Sequence, residues 1–299
     1  MKWAPLPLGT LLLSGGFVFI WATGFIVAAL ASGHADPLTF LVVRYVLTIA
    51  VFAGASWWIK ASWPRSPAAW RDAMVAGMLI HGVYLAGVYW AIWHGMPAGL
   101  TALVTGLHPL MTAALAIPLL REHLGARQWA GIAVGFAGVG LVVAPALVRA
   151  DAIALLPLLA ALLATFALAL GTIWQKRSQP RMDLRVNAAI QFIGALVLTA
   201  PVAVAFESGR LEPIPAVWGA MAWAVLVLSV GGISMLLALL KRGAASRVAP
   251  LLYLAPPVAA LIAWAMFGEA LTALQVAGMI LAAVGAFAAR SSSQPQLTK

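Results

Sequence analysis

The side chains able to do chemistry in this sequence are few, and they stand inside long apolar runs. His81 is followed at i+3 by Tyr84, with Tyr89 and Trp90 further along the same run, MVAGMLIHGVYLAGVYWAIWHG. Arg44 lies about two turns into a second run, and Trp21 stands beside Thr23 and Gly24 in a third. His108 precedes Pro109, Trp174 precedes Gln175, and Tyr253 precedes Pro256 and Pro257. Such groups exchange hydrogen bonds, stack on a ring, hold a carboxylate or take up a proton. They are badly arranged for catalysis. There is no cysteine to act as nucleophile or thiolate ligand, and the five histidines lack the i, i+4 spacing of a helical metal site. The serines are scattered in small-residue patches, and no carboxylate stands at the depth of His81 or His108 to orient either ring. No Walker motif is present, so nucleotide is not used directly. The reading is recognition of a small molecule, with no cofactor, no metal and no nucleic acid, and an intramembrane enzyme is the weaker alternative.

The elements that must position these groups are membrane helices. The chain has 299 residues, 64% hydrophobic and only 9% charged, with a mean hydropathy of +1.00. So few polar residues cannot cover the surface of a water-soluble domain. Apolar runs of about 20 residues, enough to cross about 30 Å of hydrocarbon, follow one another with little pause. Ten are expected, near 8–30, 37–59, 70–93, 97–120, 127–147, 152–175, 185–206, 214–240, 246–267 and 271–289. They are continuous and do not alternate, which favours helices over barrel strands. Lys2, the following apolar run and Ala29-Leu30-Ala31 imitate a cleavable leader, but the run is long for one and is expected to stay as the first span.

The chain repeats itself. Leu107 to Gly138 aligns with Leu254 to Gly285 without a gap at an offset of 147 residues, matching Pro109, Glu122, Gln128 and Gly131 to Pro256, Glu269, Gln275 and Gly278. The register reaches back to Gly24 and Gly171 and to Asp36 and Asp183. Residues 1–147 and 148–290 therefore form two five-helix units, followed by a polar tail, 291–299, expected to be disordered. Five is odd, so the second unit enters the membrane from the opposite side. Charge agrees with this: Lys60 and Arg65 correspond to Glu207 and Glu212. With both termini in the cytoplasm, Lys60, Arg65, Arg71, Lys176, Arg177 and most other basic residues fall on the cytoplasmic side, as the positive-inside rule requires. The net charge of +10 thus records orientation. Inverted repeats of this kind allow two packings of near-equal energy, and so alternating access.

On WATGF at Trp21–Phe25, on DPLTFLVVRY with Pro37, Phe40 and Arg44, and on the twin Pro…Glu…Gln…Gly segments, the whole chain resembles the drug/metabolite transporter superfamily, in its ten-helix EamA-type branch. Within it the chain is similar to the YddG-type aromatic amino-acid exporters. The resemblance implies an all-α integral membrane basket around a mid-membrane cavity, with the fifth and tenth helices peripheral. It also implies export of amino acids or related metabolites across the cytoplasmic membrane. A monomer is expected. A broader exporter of drugs, nucleosides or metabolites is the alternative, and a channel a remoter one.

Each candidate residue has a plainer reading beside it. Trp21 is a cavity wall or packs on Gly24, and Arg44 holds a substrate carboxylate, joins an interhelical network or reaches outward to the interface. His81 and Tyr84 face the cavity or serve as a satisfied interhelical pair; their equivalents Leu228 and Gly231 are apolar, which favours a specific task. The substrate ring is expected among Trp21, Tyr84 and Trp90, and its polar end at His81, His108 or Arg44. Trp174 anchors the span at the interface or lines an inner vestibule, and Tyr253 is a further substrate candidate. Pro109, Pro256 and Pro257, interior to their apolar runs, are expected to bend their helices, while Gly231 and Gly232 permit hinge motion or close approach. Glu122, Glu269, Gln128 and Gln275 are expected to fix turns.

Overall fold

The computed structural model describes residues 8–120, 125–148, 152–178, 182–241, 254–269 and 272–288. Its regular elements among these residues are all helices, joined by loops that hold a single isolated β-bridge between Ala35 and Leu211. Ten spans emerge in chain order: α1 Leu8–Ala31, α2 Pro37–Trp58, α3 Pro67–Trp93, α4 at 98–120, α5 Ala126–Val148, α6 Ala152–Ser178, α7 Leu184–Phe206, α8 at 215–241, α9 Ala255–Phe267 and α10 Ala273–Ala288. Seven hold helices long and apolar enough to cross a membrane, and the shorter apolar helices are α5, α9 and α10. Large apolar side chains such as Leu163, Val204, Leu261 and Ile280 stand exposed on the outside, where lipid replaces water as solvent.

Proline and glycine punctuate the spans. Pro37, Pro67 and Pro215 open theirs, where the missing N–H costs nothing, and Gly268, at φ +70°, closes α9 in a conformation that only glycine adopts without strain. Span α4 is broken: one helix ends at Thr105 and the next starts at His108. Pro109 explains the break, since it has no N–H for the Thr105 carbonyl and its ring would strike that carbonyl. At Pro109 the expected bend inside a continuous helix is therefore corrected to a break between two helices. Pro109 lies in the first turn of a new helix, as do Pro256 and Pro257 of α9, which begins immediately before them. A Cβ on Gly106, at the α4 break, would lie 3.1 Å from the Pro256 ring, so the two proline starts lie side by side.

Helix pairing obeys a two-fold rule. Spans α5 and α10 pack together, as do α2 and α7, and α4 and α9. The α3–α6 contact has its counterpart in α8–α1, and α4–α6 in α9–α1. The α5–α10 seam is reciprocal in detail. A Cβ on Gly138 would lie 2.7 Å from the Gly278 carbonyl oxygen, and one on Gly285 would lie 2.6 Å from that of Gly131. Only hydrogen fits at either place, which is how small residues bring membrane helices together.

The loops establish that the halves are inverted. Ala35 and Asp36, before α2, bond to Leu211 and Arg210, before α8, while Ala61 and Met182, the latter before α7, pack on one cluster with Val186 and Ile190. Loops 59–66 and 207–214 are equivalent by sequence and lie at opposite ends of the bundle. At the second end, carboxylates cap helices across the repeat boundary. Glu207 accepts from the Leu38 and Thr39 N–H groups at 2.8 and 2.6 Å, and Glu269 from those of Ala98 and Gly99 at 2.8 Å each. Glu269 thus fixes the start of α4, beyond its own turn. Gln128 and Gln275 do secure their own turns, at Gly125 and Thr272; Glu122 lies outside the described residues.

Candidate functional site

A turn of π-helix interrupts α3 at Met78–Val83, and a longer one interrupts α8 at Trp223–Gly231, at equivalent places in the two repeats. Each extra residue per turn releases carbonyls and re-aims side chains, which is why such turns gather at functional sites. The freed groups are met by side chains. Tyr45, fully buried, donates to the His81 carbonyl at 2.7 Å, and Ser229 donates to the Ala224 carbonyl at 3.1 Å. Close approach to α7 holds the first turn: a Cβ on Gly77 would lie 1.9 Å from the Gln191 carbonyl oxygen.

Between these turns lies a cavity of about 150 Å³ near mid-span. Its polar lining is Arg44 from α2, His81, Tyr84 and Tyr89 from α3, and Ser229 from α8. Its apolar walls include Phe17, Trp21 and Phe25 of α1, Phe192 of α7 and Leu228 of α8. The His81 ring stacks on Phe192 with centroids 4.3 Å apart, and Phe17 and Trp21 lie 5.8 Å apart in a tilted pair. Trp21, also on this wall, is 42% exposed.

Arg44 dominates the electrostatics. It is 6% exposed, donates from Nη1 to the Tyr89 hydroxyl at 3.4 Å and from Nη2 to the Ser229 hydroxyl at 3.5 Å, and its Nε–H has no partner among the described residues. Both bonds are at the long limit, and neither acceptor is an anion. Among the described residues no carboxylate lines the cavity. A guanidinium this buried is normally paired, so the cavity holds a cation that demands an acceptor.

The structure brings Trp21, Arg44, His81 and Tyr84 together around this space. It does not bring Trp90, His108 or Trp174 to it. Trp90 lies against His94 in a tilted pair, ring centroids 3.6 Å apart, and nine residues at about 100° each turn it half a revolution from His81. His108 bonds the Thr172 hydroxyl at 3.1 Å and ties α4 to α6, while Trp174 Nε1 donates to the Asp72 carbonyl at 3.2 Å and ties α6 to α3. Tyr253 lies outside the described residues. Of the glycines, Gly232 lines the cavity and Gly231 ends the π-turn. Sequence reasoning passed over Tyr89 and Ser229 as ligands. Of Tyr89 and Trp90, Tyr89 was the nearer in helical phase, about 80° from His81 where Trp90 is about 180°. The role of Ser229 depends on a π-turn that local sequence does not announce.

A second polar assembly closes the end of the bundle where α2 begins. Asp36 accepts from the Ser208 N–H and hydroxyl at 3.0 and 2.7 Å and from the Arg210 N–H at 3.0 Å. Burial pushes this carboxyl up, but the Ser208 hydroxyl and the surrounding N–H groups outweigh it and hold Asp36 below its ordinary value. Glu212, bonded to His34 and Arg210, is likewise held low, first by the Arg210 hydrogen bond.

Comparison with known proteins agrees with this architecture. The profile of the EamA-like transporter family matches residues 8–144 and again 155–290. Over 283 residues the chain is 29% identical to a probable amino-acid metabolite efflux pump of Salmonella typhimurium, covering 90% of this chain and 91% of the relative. It is 27% identical, over the same shares, to the protein of that description in Escherichia coli. An uncharacterized transporter of Bacillus subtilis is 24% identical across 91% of this chain and 88% of its own. A solved crystal structure at 20% identity superimposes with a TM-score of 0.62 over 94% of this chain and 96% of the other, which establishes the shared fold. With both halves of the sequence matched, the chain is a multi-pass membrane protein and belongs to the EamA-like transporter family.

Proposed function

We propose that this protein exports amino-acid metabolites, those with aromatic or large apolar side chains foremost, by alternating access of its two repeats around the Arg44 cavity. The carrying observation is Arg44 itself: a buried guanidinium at a cavity wall, bonded weakly to two neutral hydroxyls and, among the described residues, to no acid. The substrate carboxylate supplies the missing acceptor, and charge-assisted bonds of this kind are about twice as strong as neutral ones. The substrate's apolar part packs against Trp21, Phe25 and Phe192, with His81 and Tyr84 offering hydrogen bonds. The efflux pumps of similar sequence support the substrate class.

Basic residues concentrate at the end that carries Lys60, Arg65, Arg71, Lys176 and Arg177, which becomes the cytoplasmic end, with both termini there. The Asp36 and Glu207 junction is then the outer closure, and an outward-open state requires its separation. Purified protein in proteoliposomes, preloaded with unlabelled L-phenylalanine, is expected to show saturable counterflow of the labelled compound, measured with and without a pH gradient. Flux linear in concentration would instead indicate a pore.

A further inference from the structure

We infer that the cavity selects net-anionic substrates over zwitterions: aromatic carboxylates whose amine is acylated or absent in preference to the free amino acid. This rests on the reading of Arg44 as the carboxylate holder and makes it more specific.

A zwitterion brings two charges, and the described residues of the cavity offer a charged partner for one. The eight carboxylates of the chain are Asp36, Asp72, Glu122, Asp151, Asp183, Glu207, Glu212 and Glu269. Six lie in the described residues, and none of those lines the cavity. Asp36, Glu207, Glu212 and Glu269 are engaged at the end where α2 and α4 begin. Asp72 pairs with Arg71 and Asp183 accepts from the Arg185 N–H, both at the opposite end.

An ammonium entering beside Arg44 would therefore lose its water, face a like charge and meet hydroxyls, an imidazole and ring faces, with no carboxylate among the described lining residues. Ring faces recover part of the loss through cation–π attraction, but Arg44 competes from the same wall. A neutral amide in place of the ammonium removes the penalty and still donates one N–H to the hydroxyls of Tyr84, Tyr89 or Ser229. A 2-oxo acid removes it altogether.

The test compares three molecules with one ring: N-acetyl-L-phenylalanine, L-phenylalanine and L-phenylalaninamide, the last protonated at about pH 6. Each competes against counterflow of labelled L-phenylalanine in proteoliposomes. The expected order of half-inhibition is N-acetyl-L-phenylalanine lowest, L-phenylalanine at least tenfold higher, and the amide higher again. Arg44→Gln should bring the three values within about threefold of one another, with unchanged thermal stability in detergent. Equal or weaker inhibition by N-acetyl-L-phenylalanine than by L-phenylalanine overturns the inference while leaving the transport reading intact. If L-phenylalanine shows no counterflow at all, that reading of the substrate fails. Equilibrium dialysis of labelled N-acetyl-L-phenylalanine against the purified protein then decides the charge preference, binding lost in Arg44→Gln upholding it and no binding overturning it.

Discussion

The two repeats share a backbone and divide the work. At equivalent positions, the first repeat places Arg44, His81, Tyr84 and Tyr89, and the second places Gln191, Leu228, Gly231 and Leu236. All four residues of the first set line the cavity; of the second set, Leu228 and Leu236 do, as plain apolar wall. The framework contacts, by contrast, are mirrored almost atom for atom, as at Gly138 with Gly278 and Gly285 with Gly131. Duplication therefore supplied the inverted scaffold, and most of the polar lining of the cavity stands on one side of it. Substitutions at equivalent positions should be equivalent in the frame and unequal at the cavity.

The widest gap is expected between Arg44→Ala and Gln191→Ala. Removing a charge-assisted partner costs about 2–3 kcal/mol, so Arg44→Ala should lower kcat/KM for an aromatic amino-acid substrate about 30- to 150-fold. Gln191→Ala should cost less than about tenfold, and counterflow with both variants at matched reconstitution makes the comparison. The frame should show the opposite pattern. Gly138→Val and Gly285→Val should each destabilise by a similar amount, of order 1–3 kcal/mol, read as equal losses of thermal stability in detergent. A large difference between them would break the two-fold reading of the α5–α10 seam.

The effect of His81→Ala should be smaller than that of Arg44→Ala. Losing one neutral hydrogen bond and its stack on Phe192 should weaken aromatic flux about tenfold at unchanged expression, with Leu228→Ala changing it only a fewfold. Wild-type flux in His81→Ala would remove that side chain from the site. The smallest effect belongs to the closed end. Asp36 titrates below its ordinary value in the folded state, so its contribution is complete at neutral pH and is lost as pH falls through that lowered value. Thermal stability should show no loss from this clamp between pH 7 and 5 and a decline below about pH 4, and Asp36→Asn should abolish that acid-dependent component.

The scaffold was open to sequence reasoning because lipid imposes a strict grammar. Every span must be a long apolar helix, and an ungapped offset of 147 residues exposes the duplication directly. The site was less legible, for reasons specific to each residue. Arg44 and His81 stand out because polarity inside an apolar run is costly. Trp90, of the same type and only nine residues beyond His81, points the other way, and helical phase was the signal that separates them. His108 and Trp174 spend their hydrogen bonds on Thr172 and Asp72, partners distant in sequence. The twin π-turns depend on how closely α3 approaches α7 at Gly77 and on which carbonyls Tyr45 and Ser229 can reach, and neither is written in a local pattern. The prolines announced a break in α4 but not its form, a fresh helix start in place of a bend.

Transport through this cavity requires substrate to occupy the space between the two π-turns. The chain has no native cysteine, so Leu228→Cys, on the cavity wall opposite the α3 cluster, and Trp90→Cys, outside the cavity, each give a single thiol. Saturating N-acetyl-L-phenylalanine should slow labelling of Leu228→Cys by a small thiol reagent at least tenfold and leave Trp90→Cys unaffected. Protection at Trp90→Cys with none at Leu228→Cys would contradict the assignment of the site.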